Sequence, residues 1–240
     1  MMFLDVQDLD EFFSLFLQEV ERLPLNRRRD CKNTLTEYIN FFNAIPPTYY
    51  KLEYRRKFEV TVYTERPFYT IRWCEKTLND LATSNPQHKT RIKVEKCKEL
   101  VDADILQNPK QLQFIPSKGA IIIGDTSTIF PTCPLTILDG NHRFAKAVYD
   151  KAEYIEAYFL HPCIHTEAIS NEYIKALYKT HSNCLLTLMY YSGVMKADEV
   201  KKGILFLDGL SDPLSSSLQK IGSDKRLSTI LRNFFSRPRH

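Results

Sequence analysis

Asp139-Gly140-Asn141-His142-Arg143 sets a carboxylate, a carboxamide, an imidazole and a guanidinium within five consecutive residues. Together such groups can bind an oxyanion, hold a cation and move a proton. What makes them a site is the elements on either side. Leu135 to Leu138 read as a short buried strand, and Phe144, Ala145, Ala147 and Val148 recur at helical spacing. The five residues therefore occupy a strand-to-helix turn, with Gly140 supplying backbone angles closed to other residues. A helix start exposes backbone N–H groups, and with an imidazole and a guanidinium beside them it forms an anion site suited to phosphate. His142 and Arg143 are assigned to phosphate oxygens, and Gly140 with Asn141 to close backbone approach. Asp139 and His142 are the candidate catalytic pair. Asp139 either orients His142, holds a magnesium-bound water or caps the helix, and only the first two roles are catalytic. The competing reading is a structural turn, with Asp139 as cap and Arg143 paired to a surface acid.

The run Asp139-Gly140-Asn141-His142-Arg143, continued by Phe144-Ala145-Lys146-Ala147, resembles the Asp-Gly-X-His-Arg turn of the ParB/sulfiredoxin superfamily. The likeness is strongest over about fifteen residues and extends from Ala120 to Leu160. It implies a small mixed α+β domain that binds a nucleotide with the His-Arg turn near the phosphates. Members of that superfamily include CTP-dependent DNA-binding proteins, sulfiredoxins, free-serine kinases and proposed nucleases. Two departures narrow the choice. Sulfiredoxins carry their catalytic cysteine immediately before His-Arg, where this chain has Asn141, so sulfinic-acid repair is not expected. The C-terminal part shows no clear helix-turn-helix, which argues against a partition protein. The resemblance thus implies an α+β, ParB/sulfiredoxin-type small mixed sheet with N- and C-terminal helical additions. The resemblance further implies binding of a nucleoside triphosphate, ATP or CTP, with Mg2+, and an activity of hydrolysis or phosphoryl transfer. Asp125 is the nearest candidate for the general base. The alternative is a nucleic-acid-binding regulator, or a metal-dependent nuclease, that uses the same turn as a phosphate clamp.

Arg27-Arg28-Arg29 and Arg55-Arg56-Lys57, the latter beside Tyr49, Tyr50 and Tyr54, join basic charge to aromatic rings, the combination that tracks a nucleic-acid backbone and stacks bases. They are the candidate DNA or RNA contacts. Lys225, Arg226, Arg232, Arg237 and Arg239 give a similar signal. Gly124-Asp125 and Gly140-Asn141-His142 are similar to turns of metallophosphoesterases, but no upstream Asp-X-His supplies the first metal ligands. His161, Cys163 and His165 fall two apart, so an extended segment would align them, with His181 completing a zinc site; the intervening Pro162 favours a strand end and loop instead.

At 240 residues, 43% hydrophobic and 26% charged, the chain has globular composition, and a net charge of +4 falls short of a dedicated nucleic-acid binder. Six scattered cysteines without a Cys-X-X-Cys pair fit reduced thiols. No apolar run reaches the ~18 residues of a spanning helix and no basic leader opens the chain, so a cytoplasmic protein without membrane contact is expected. Three regions are predicted: helices over 1–57, the α+β core over 58–165, and helices over 166–240 packed on that core. Periodicity places helices near 6–23, 28–44, 75–82 and 90–106, and strands at 58–63, 68–73, 120–123, 135–138 and 155–160. A terminal helix carries Leu227, Ile230, Leu231, Phe234 and Phe235 on one face. The oligomeric state has no sequence signal.

Overall fold

A computed structural model describes residues 2–3, 6, 8–47, 50–51, 58–61, 67–101, 105, 112–116, 119–129, 134–211 and 213–214. Its elements in chain order are β1 (Met2–Phe3), α1 (Leu9–Val20), α2 (Leu25–Asn43), β2 (Tyr50–Lys51), β3 (Phe58–Thr61), β4 (Pro67–Ile71), α3 (Glu75–Ser84), β5 (Lys89–Lys93), α4 (Val94–Cys97), β6 (Ile121–Asp125), β7 (Leu135–Asp139), α5 (Asn141–Tyr149), β8 (Tyr154–Leu160), α6 (Pro162–His165), α7 (Glu172–Tyr191) and α8 (Ala197–Gly203). The architecture is α+β with a small mixed sheet. Two compact units divide the chain: residues 1–72 with 128–132 and 169–240, and residues 73–127 with 133–168. This differs from the expected three regions. The β3–β4 hairpin belongs with the terminal helices, and the second unit is nested between the two halves of the first. Where the chain enters and leaves that nested unit, Cys74 N–H donates to Ala168 C=O at 2.7 Å and Ser170 N–H to Arg72 C=O at 3.1 Å.

In the first unit, Phe12, Phe16 and Val20 form the buried stripe of α1, and Leu35, Tyr38, Ile39 and Phe42 that of α2. Both helices pack on α7. Unlike a surface helix, α7 is buried continuously from Thr180 to Leu188, so its polar side chains need internal partners. Asn183 finds them on the backbone of Leu205: its amide donates to the carbonyl at 2.8 Å and its Oδ1 accepts from the N–H at 2.9 Å. His181 shares a 2.7 Å hydrogen bond with the Tyr69 hydroxyl, and the rings of Phe12 and Phe16 enclose it. Burial holds the His181 pKa down, to about 3.

The second unit is built on a four-stranded sheet in the order β5-β8-β6-β7, with β6 and β8 parallel and the other pairs antiparallel. One face carries Ile121, Ile123, Ile137, Ile155 and Ala157, and α5 covers it with Phe144 and Ala145. The strands expected at 120–123, 135–138 and 155–160 and the helix near 75–82 appear with small changes of boundary. Residues 90–106 differ. Among the described residues helix begins there only at Val94–Cys97, followed by a 3-10 turn at Lys98–Leu100, because Thr90 and Ile92 are β-branched and Lys89 to Lys93 pair with β8. The proposed terminal helix lies outside the described residues.

Candidate functional site

Strand β7 delivers Asp139 to its last position, and the chain reverses at Gly140 with φ 86° and ψ 23°, a left-handed conformation. Helix α5 starts at once, its first intrahelical bond running from Phe144 N–H to the Gly140 carbonyl at 2.9 Å. Among the described residues no side chain caps this start, and its first turn holds no acidic residue. The amides of Asn141, His142 and Arg143 therefore retain the donor capacity and positive dipole end expected of an anion site.

Asp139 faces Arg143 and, among the described residues, neither caps α5 nor hydrogen-bonds His142. Its Oδ2 accepts from Arg143 Nη2 at 2.8 Å, an ion pair one helical turn long in which both side chains are largely covered, at 20% and 29% exposed. Two glycines shape the place where Arg143 lies. A β-carbon on Gly140 would stand 2.9 Å from Nη2 and 2.8 Å from Ile121 Cγ2, and one on Gly119, at φ 114°, would stand 3.4 Å from Nη1. Gly119 was not singled out from the sequence; its position just before the apolar run of β6 was the available signal. Among the described residues the buried Nε of Arg143 has no partner, and the buried Oδ1 of Asn141 has none either. His142 is exposed at the same turn.

Asp125 is not brought to this turn. The antiparallel register pairs Ile122 with Asp139 but Asp125 with Leu135, which sets Asp125 roughly 10 Å along the strands from the turn. Its carboxylate accepts from Ser127 N–H at 3.0 Å, and its carbonyl accepts from His165 Nε2–H at 2.8 Å. The same register separates Gly124-Asp125 from Gly140-Asn141-His142, so these two turns do not form the paired metal site of a phosphoesterase.

The zinc candidates disperse as well. Residues 162–165 form a helical turn rather than an extended segment, because Pro162 fits the first position of a helix. His165 is buried against Trp73 with its pKa lowered by desolvation to about 4, Cys163 is exposed, and His181 belongs to the first unit. Among the described residues no cluster of three or more His, Cys, Asp or Glu could hold a metal.

The Arg27-Arg28-Arg29 cluster is divided. Arg27 is buried and its Nη1 donates to the Tyr191 carbonyl at 3.0 Å, which puts a cation on the negative end of α7. Arg28 is tied to the Leu23 carbonyl at 2.8 Å and to Glu21 at 3.0 Å, while Arg29 is exposed. Arg55, Arg56 and Lys57 lie outside the described residues, as do the C-terminal cations. No described helix is long and apolar enough to cross a membrane. Comparison with known protein families, with curated proteins and with solved structures finds no match to this chain.

Proposed function

We propose that the second unit is a ParB/sulfiredoxin-like domain whose Asp139–Arg143 turn binds the phosphates of a nucleoside triphosphate, ATP or CTP, with Mg2+, for hydrolysis or phosphoryl transfer. The observation that carries this reading is the uncapped start of α5, with Arg143 held beside it by Asp139 and with donors to spare. The amides of Asn141, His142 and Arg143 bind phosphate oxygens, and the Arg143 guanidinium balances their charge. Exposed His142 reaches the same anion with a ring N–H. Phosphoryl transfer asks mainly for positioned phosphates and electrostatic stabilisation, and this set supplies both. The bound cation would neutralise phosphate charge.

A thermal-shift panel of ATP, CTP, GTP and UTP, with and without magnesium, tests the reading on wild type, His142→Ala and Arg143→Ala. One nucleotide should raise the melting temperature in a magnesium-dependent way. At a hundredfold excess over Kd the gain is ~2.7 kcal/mol. Arg143→Ala should abolish the shift and His142→Ala reduce it, each variant being referenced to its own ligand-free melting temperature. A wild-type melting temperature unchanged by every nucleotide would leave the turn a structural one. Phosphate release by the shifted complex then separates an enzyme from a ligand sensor.

A further inference from the structure

Strand β5 reads Lys-Thr-Arg-Ile-Lys, and its antiparallel register with β8 sets Lys89 opposite Tyr158, Arg91 opposite Glu156 and Lys93 opposite Tyr154. Residues directly opposite share a face, so these six side chains stand together on one side of the ribbon. On the other side, Ile92 opposite Ile155 joins the core. Lys89, Arg91, Lys93 and Glu156 are exposed, and the two tyrosines are half-buried with cations over their rings. The Arg91 guanidinium carbon lies 4.8 Å from the Tyr154 centroid, Lys93 Nζ 5.7 Å from the same ring, and Lys89 Nζ 6.0 Å from that of Tyr158. Glu156 pairs with Lys89 at 2.9 Å, whereas Arg91 and Lys93 have no carboxylate partner among the described residues.

We propose that this face of the β5–β8 ribbon binds single-stranded nucleic acid. The cations recur about every 6.8 Å along the strand, close to the spacing of successive phosphates on an extended single strand. Two tyrosine rings lie between them as stacking platforms. The face carries three positive charges against one negative, so its complement is a polyanion with planar apolar groups. A duplex is disfavoured because its base faces are hidden in the stack. Edge-strand protection accounts for charge on β5, but it does not ask for tyrosines in register on β8, an interior strand. The inference is independent of nucleotide binding at the Asp139–Arg143 turn.

Fluorescence anisotropy on the full chain tests it, with labelled oligo-dT and oligo-U about 12 nucleotides long, within the ~4–16 that one such surface covers, and with a duplex of equal length. The expected result is binding of at least one single strand in preference to the duplex, with log K falling linearly against log salt. Arg91→Gln/Lys93→Gln should reduce the salt slope by about 1.4, from ~0.7 per phosphate contact. Tyr154→Leu should weaken binding about fivefold or more with the slope unchanged. Melting temperatures equal to wild type establish that these exposed-face variants fold. Failure to bind either single strand, equal affinity for the duplex, or binding indifferent to the double variant would overturn the proposal. Loss in His142→Ala with the ribbon variants unaffected would do so too, by moving the contact to the turn; the nucleotide panel judges that turn separately.

Discussion

At residue 140 the backbone angle and the neighbouring side chains impose two separate demands, and only the first is visible in a sequence. A glycine between an apolar strand and an amphipathic helix announces a left-handed turn. That Arg143 folds back over it is a fact of packing. Gly140→Ala would place a methyl group at φ 86° within 3 Å of both Ile121 and Arg143. It should destabilise the chain by about 1–3 kcal/mol in urea unfolding, and any nucleotide-induced gain in melting temperature should fall with it, because the displaced guanidinium is the proposed phosphate ligand. The part of Asp139 was likewise hidden. A carboxylate ahead of a helix is a cap by default, and the four-residue spacing to Arg143 gives an ion pair only because the turn is tight enough for the side chains to meet.

At the scale of elements, β6, β7, α5 and β8 were legible because their apolar residues keep one period each and glycine or proline marks their ends. The register between β6 and β7 was not legible, and it is what removes Asp125 from the turn. Strand β5 was misread as helix for a related reason: charged residues at every second position are compatible with a helix surface, and only pairing with β8 reveals that they line one face. Helix α7 was expected, but not its burial on every side. Its hold on residues 204–207 through Asn183 gives a sharp test. Asn183→Ala leaves the N–H and carbonyl of Leu205 without their buried partner, at ~1–3 kcal/mol for each unsatisfied group. A loss of about 2–4 kcal/mol in chemical denaturation is expected. Asn183→Asp should rescue poorly, since a carboxylate cannot donate to the carbonyl.

For the molecule as a whole, two buried histidines contribute to its response to acid. His165, in the second unit, and His181, in the first, have folded pKa values lowered by desolvation to about 4 and about 3, against 6.5 for an ordinary imidazole. Between these values and 6.5 the unfolded chain binds more protons, so stability is complete above pH 6.5 and falls as pH drops through that window. Together the two cost on the order of several kcal/mol at its lower end, much of the ~5–15 kcal/mol typical of a folded chain. Melting temperature should be nearly flat from pH 8 to 7 and decline steeply from 6 to 4, and calorimetry across that range checks it. The nesting of the second unit, finally, orders events in time. Residues 73–168 leave the ribosome before Glu172–Tyr191, the helix on which α1 and α2 rest. The inner unit can therefore complete its contacts during synthesis. The aromatic stripes of Phe12, Phe16, Tyr38 and Phe42 wait for a segment more than a hundred residues downstream, and they are the surfaces a nascent chain must shield longest.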